Sequence, residues 1–293
     1  MNTDANPNAN ADANTNAPIP FADDAASNAP ALPGEVIVRA QHDDAMDACG
    51  DDLLTQAIAC VHEFGEFHMA LSGGNTPMPL YRRLVLDPAM RLFPWKQTHL
   101  WIVDERCVPY SDPKSNWGHI SDLLVEHSGI PRSQAHPMPV VGASGAATLE
   151  AAVAGARVYD AELRAALGKR AEGHRRLDYV MLGMGPDGHT ASLFPQSTAQ
   201  LEREAWVTTN DGPTVVPPRR MTMTYPLLNA ARMLCVLALG EEKAPTLKKV
   251  SAAWRGAESR LASEGPVWRE LPILGITPVA GSMRWYLDEA ACG

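Results

Sequence analysis

At 293 residues the chain can bury a sizeable core, and a formal net charge of −9 argues against nucleic acid or a polybasic membrane contact as its main partner. No apolar run approaches the roughly 20 residues that cross a bilayer, so no membrane span is expected. The five cysteines, Cys49, Cys60, Cys107, Cys235 and Cys292, are scattered without a C-x-x-C pair and read as reduced packing thiols of a cytoplasmic protein; Cys107 sits beside Arg106 but has no evident base to make it a nucleophile.

Residues 1–32 are dominated by Asn, Ala, Asp and Pro and offer almost nothing to bury, so they are expected to form a disordered tail that is not a secretory signal. One α/β domain is expected over residues 33–293. A short β-rich run at 35–40 precedes a helix over 42–64, in which Met46, Leu53, Leu54, Ile58, Val61 and Phe64 recur at near-helical spacing. The next strand, 67–71, runs directly into Ser72, Gly73, Gly74, Asn75, Thr76 and Pro77 ahead of a helix through Leu80, Tyr81 and Leu84. Paired glycines let a backbone approach a phosphate, Asn75 and Thr76 add side-chain donors, and Pro77 suits the first helical position. The same residues also fit a plain turn, and no Walker sequence follows.

A third strand at 99–103 ends in Asp104, Glu105 and Arg106, charged residues at the strand end where open parallel sheets bind ligands, or equally a solvated loop with internal ion pairs. A loop to Asn116 and a helix starting after Ser115 come next. Residues 130–145 form a long Pro-, Gly- and Ser-rich connection in which His136 reads as a surface residue, and a helix follows over 148–167. Residues 179–184 make an apolar strand of the kind buried on both faces. Gly183, Gly185, Pro186, Asp187 and Gly188 then form a tight turn, and 189–194 has the look of a first helical turn that holds His189 near exposed backbone N–H groups.

Strands are expected at 205–208 and 221–224, the second led in by Arg219 and Arg220, each of which alone reads as solvated charge. The apolar strand 233–239 closes in Gly240, Glu241, Glu242 and Lys243, where a lysine in a first helical turn opposes the helix dipole unless an anion lies nearby. A last strand at 283–287 leads to a brief terminal helix. Alternation of strands and helices from end to end selects a doubly wound, Rossmann-like α/β fold with a mainly parallel sheet and helices on both faces. Four strand ends, 73–76, 104–106, 185–189 and 240–243, then gather on one edge. Together they offer phosphate donors, cations, a carboxylate pair and one imidazole, without metal-ligand spacing or a dinucleotide fingerprint. That set suits proton transfer or hydrolysis on a phosphorylated small molecule.

Three segments carry a family resemblance: LSGGNTP from Leu71, VDERCVPYSDPKSN from Val103 and LGMGPDGHTASLFP from Leu182. They resemble the signature segments of the 6-phosphogluconolactonases, within the glucosamine-6-phosphate isomerase/6-phosphogluconolactonase family, and the runs at 220–224 and 240–244 are similar to its two later segments. Asn75 departs from the serine found in many members. The resemblance implies hydrolysis of 6-phospho-D-glucono-1,5-lactone to 6-phospho-D-gluconate in the oxidative pentose phosphate pathway, without metal or organic cofactor and with a small phosphorylated sugar lactone as the only partner. It also implies roles for residues already singled out. His189 takes a proton from the attacking water and returns it to the ring oxygen, and Asp104 orients the sugar or the imidazole. Arg106, Arg220 and Lys243 hold phosphate or developing negative charge, and Gly73, Gly74, Asn75 and Thr76 complete the phosphate pocket. Two rival readings are a glucosamine-6-phosphate deaminase/isomerase and a non-catalytic sugar-phosphate sensor. The deaminases typically carry tyrosine at the position of Arg106 and Ile-Ala-Phe in place of Thr190-Ala191-Ser192, while a sensor needs a DNA-binding module that residues 1–32 do not supply.

Overall fold

The computed structural model describes residues 29–142, 145–257 and 265–293. The expected tail lies outside the described residues up to position 28. Leu32 is already buried in the core, and Trp285 Nε1 donates to the Pro33 carbonyl at 2.8 Å, so the chain has entered the fold by Leu32.

In chain order the elements are β1 (Glu35–Arg39), α1 (His42–Phe64), β2 (Phe67–Leu71), α2 (Met78–Leu86), β3 (Thr98–Ile102), β4 (Asp104–Arg106), α3 (Asn116–Ile120), β5 (Ala135–His136) and α4 (Leu149–Leu167). There follow β6 (Tyr179–Leu182), β7 (Val207–Asp211), β8 (Arg219–Met223), α5 (Tyr225–Ala230), β9 (Met233–Ala238), α6 (Ala244–Gly256), β10 (Ser282–Asp288) and α7 (Glu289–Cys292). Seven strands form a sheet in the order β1-β10-β9-β6-β2-β3-β5, parallel at every pairing. Every residue of β2, β6 and β9 is buried, which is why those runs carry no alternation: both faces of the sheet centre are covered. The doubly wound architecture expected from the sequence is therefore present.

The strand order also locates a crevice. From β2 the chain walks outward through β3 to β5, then returns to the other side of β2 as β6 and walks on through β9 to β10. The loops after β2 and β6 thus leave the sheet in opposite senses, and the space between their carboxyl ends is the switch point at which such sheets bind ligands.

Three expectations are corrected. Asp104–Arg106 is neither a loop nor the tail of β3; it is the edge strand of a second, antiparallel sheet ordered β4-β8-β7. Val103 joins the two sheets, donating to the Leu71 carbonyl at 3.0 Å and accepting from Met223 N at 2.8 Å. Residues 189–194 are not helical: Thr190 and Leu193 bridge across a tight turn with Ala191 at φ 50°. A helix begun at His189 would run into Pro195, which lacks the N–H that its second turn requires. His136 is not a surface residue but lies in edge strand β5, 7% exposed, its ring stacked on Trp101 at 3.7 Å.

Candidate active site

Three loops and two strands meet at the crevice. After β2, Ser72 Oγ donates to the Met181 carbonyl at 2.8 Å and Tyr81 OH donates to the Ser72 carbonyl at 2.7 Å, so the loop is pinned between β6 and α2. A Cβ on Gly73 would lie 1.8 Å from Asn116 Oδ1, which excludes any side chain there. The loop leads into the N-terminus of α2, where backbone N–H groups lack intrahelical partners and favour an anion.

In β4 successive side chains point to opposite sides, which splits the carboxylate pair read from the sequence. Glu105 is fully buried and accepts from the backbone N–H of Arg106, Asn116 and Trp117, each at 2.7 Å, and from Ser115 Oγ at 3.0 Å. Burial pushes its carboxyl up, and those donors oppose the shift without cancelling it. Glu105 therefore anchors the start of α3. Asp104 and Arg106 instead face the crevice. Ser192 Oγ donates to Asp104 Oδ2 at 2.6 Å, tying the loop after β6 onto β4, and Arg106 Nη1 donates to the Lys114 carbonyl at 2.7 Å.

Arg220 stands directly across the antiparallel ladder from Arg106. It is 5% exposed, with Nε donating to the Pro217 carbonyl at 2.9 Å, so its reading as solvated charge is corrected. Burial pushes its guanidinium below the ordinary value; Asp104 opposes this and Arg106 adds to it. Two like charges opposed on a ladder are unfavourable unless an anion sits with them. A third cation, Lys243, follows Gly240, whose φ of 92° makes the turn out of β9, and its Nζ donates to the Met184 carbonyl at 3.2 Å.

His189 is held by the turn after β6. Gly185 N donates to the His189 carbonyl at 2.9 Å, and the imidazole lies so close to Gly185 that a Cβ there would meet ring atoms at 2.1 Å. Asp187 Oδ1 accepts from His189 Nδ1 at 2.5 Å and from its backbone N–H at 3.1 Å. Burial resists ionisation of Asp187, yet the hydrogen bond and charge of His189 outweigh it and hold the carboxyl below its usual range. A carboxylate on Nδ1 fixes the tautomer and leaves Nε2 as the basic nitrogen.

The result is a cavity of about 390 Å³ lined by Gly73, Gly74, Asn75, Thr76, Asp104, Arg106, His189, Arg220 and Lys243, every site residue singled out from the sequence. Asp187, Ser192 and Asn116 were not singled out. Asp187 had a signal, the D-x-H spacing; Ser192 was concealed by the helix expected there. Cys107 is buried, and that burial pushes its thiol up to about 12, which removes it as a nucleophile. Among the described residues, Glu66, His68 and His99 could hold a metal ion, at the opposite, amino ends of β2 and β3. There Trp101 Nε1 donates to His68 Nδ1 at 3.1 Å, which puts the proton of a neutral ring on Nε2, facing Glu66 Oε1 at 3.1 Å. That nitrogen is a donor to the carboxylate rather than a ligand.

Residues 40–285 match the family described as glucosamine-6-phosphate isomerases/6-phosphogluconolactonase. The chain is 39% identical over 255 residues to the GDH/6PGL endoplasmic bifunctional protein of Homo sapiens, covering 87% of this chain and 30% of that protein. It therefore spans less than a third of that relative's length. With the 6-phosphogluconolactonase of Synechocystis sp. it shares 33% identity over 245 residues, covering 83% of this chain and 89% of the relative. The solved 6-phosphogluconolactonase from Trypanosoma brucei superposes with a TM-score of 0.71 at 27% identity, covering 89% of this chain and 98% of that one. A match over most of the chain, on a sheet whose switch point carries the residues of the signature segments, has one reading: the chain belongs to the glucosamine-6-phosphate isomerase/6-phosphogluconolactonase family.

Proposed function

We propose that this chain, acting as a single catalytic unit, hydrolyses 6-phospho-D-glucono-1,5-lactone to 6-phospho-D-gluconate, the lactone-opening step of the oxidative pentose phosphate pathway. The observation that carries this reading is an imidazole oriented by a carboxylate, His189 on Asp187, in one cavity with three cations and a glycine loop at a helix start. Nε2 of His189 removes a proton from water as the water oxygen bonds to the lactone C1. The charge that develops on the carbonyl oxygen is met by the guanidinium pair Arg106 and Arg220. When the bond from C1 to the ring oxygen breaks, the imidazolium returns its proton to that oxygen, so water is consumed and the base is regenerated. General base catalysis of this kind contributes about 10²- to 10⁴-fold.

Asp104 orients the sugar. Gly73, Gly74, Asn75, Thr76 and Lys243 take the phosphate, so that binding energy remote from the reacting carbon is spent on orientation. No step calls on a metal or an organic cofactor. No helix among the described residues is long and apolar enough to cross a membrane, and the net charge of −9 disfavours nucleic acid. All five cysteines are free, four of them buried, and Cys49 and Cys235 stay unbonded with their sulfurs 3.4 Å apart, which supports a reducing, cytoplasmic setting.

The test generates the lactone in place and follows 6-phosphogluconate formation with wild type, His189→Ala and no protein, the last because the lactone also opens unaided. Wild type is expected to accelerate opening, and the variant is expected to lose at least about a hundredfold in kcat. A wild type that matches the protein-free rate refutes the proposal. A variant with undiminished kcat refutes the base assignment.

A further inference from the structure

Asn116 opens α3, deep beside the cavity, and nothing in the mechanism above uses it. It is 2% exposed. Its backbone N–H is held by Glu105 Oε1 at 2.7 Å, and its side-chain Nδ2 donates to the Asp104 carbonyl at 2.9 Å. A backbone carbonyl only accepts, so the NH₂ end of the amide must lie on that side, and the position of Oδ1 follows. Oδ1 is buried and has no hydrogen-bond partner in the protein. The residue lines the cavity, and its Oδ1 lies so close to Gly73 that a single added methyl group there would collide with it. Buried amide oxygens are rarely left unpaired, because the group has been taken from water without compensation. Here a packed helix start and a side-chain hydrogen bond hold the oxygen in that state, between the glycine loop and Asp104.

Resting on the lactonase reading above, we propose that Asn116 is a specificity-determining residue whose Oδ1 accepts a hydrogen bond from a ring hydroxyl of the sugar lactone. The chemistry selects a donor. An amide oxygen repels a phosphate oxygen or a carbonyl oxygen, so neither end of the substrate that the cations serve can satisfy it. A polyhydroxylated ring presents hydroxyl donors at C2, C3 and C4, between the phosphate and the ring ester. Asn116 lies between the loop that takes the phosphate and the residue that orients the sugar, touching Gly73 and joined to the Asp104 carbonyl through Nδ2. Gly73 is then required twice, for backbone approach to the phosphate and to leave room for Oδ1.

The test compares 6-phosphogluconolactone with its 2-deoxy, 3-deoxy and 4-deoxy analogues, each corrected for unaided opening, on wild type, Asn116→Ala and Asn116→Leu, the second variant refilling the volume without an acceptor. Wild type is expected to lose about tenfold in kcat/KM on one of the three analogues, the size of one neutral hydrogen bond. Both variants are expected to lose about tenfold on the parent lactone and to treat parent and that analogue alike, within about twofold. A wild type that opens all three analogues as efficiently as the parent overturns the proposal whatever the variants do. So does a variant that opens the parent more slowly yet keeps the full discrimination, since the loss is then structural or concerns the attacking water. A wild type inactive on the parent overturns the lactonase reading itself, and the two failures are thereby distinguished.

Discussion

Replacing Asp187 by Asn tests whether a carboxylate two residues upstream makes His189 a base. The change is nearly isosteric, so it alters the turn at Gly185 and Gly188 little and acts on what faces Nδ1, now at 2.5 Å from the carboxylate oxygen that also accepts from the His189 backbone N–H at 3.1 Å. Hydrogen bonds to a charged group contribute about 1.5 to 3 kcal/mol. At 1.36 kcal/mol per decade of rate that is about 10- to 150-fold in kcat. The Asp187 side chain is 35% exposed, so water screens part of the interaction and the lower half of the range is expected. An asparagine that turns its NH₂ toward Nδ1 would deepen the loss, by moving the ring proton to Nε2 and disabling the base. Asp187 reaches the ring but does not line the cavity, so KM should stay within about twofold. The assay is background-corrected lactone opening at saturating substrate. Undiminished kcat, or a raised KM at unchanged kcat, would refute the idea that Asp187 sets the tautomer.

Two further outcomes concern the scaffold. Glu105→Ala strands two buried backbone N–H groups at the start of α3, besides that of Arg106 in β4, and should cost about 3 kcal/mol or more, read as a lower urea midpoint, while Glu105→Gln, which keeps acceptor capacity, should cost less; equal midpoints for the two variants would contradict the anchoring role. Burial, with His68 and His136 close by, pushes His99 down to about 4. The unfolded chain then takes up a proton near pH 6.5 that the folded chain refuses, so this contribution to stability is full above pH 6.5 and is lost as pH falls toward 4. His99→Asn should flatten the fall of the thermal midpoint across that window, and an unchanged slope would show that His99 does not drive it. Glu66, held down to about 2 by its His68 hydrogen bond against the cost of burial, loses its contribution at lower pH, which keeps the two effects apart.

Much of this protein was legible along the chain because burial on both faces demands an apolar residue at every position. Runs such as Tyr179–Leu182 and Met233–Ala238 can hardly be anything but central parallel strands, and the glycines that end such runs mark where the backbone must turn or come close to something. The alternation of those runs with helical periodicity determined the doubly wound sheet, whose strand ends share one edge. Each of these features depends on residues adjacent in sequence.

What only the tertiary structure decided joins residues far apart. Ser192 reaches Asp104 across 88 positions, and Arg220 faces Arg106 because β8 pairs with β4 in a second sheet that no local pattern announces. Strand β4 is three residues long, too short to show a period, so whether Asp104 or Glu105 faced the ligand was undetermined until pairing set the pleat. His136 was concealed for the same reason, since its strand has two residues and its burial comes from Trp101 on a neighbour. The orphaned oxygen of Asn116 lies furthest from the reach of sequence, because an unpaired group is defined by everything packed around it.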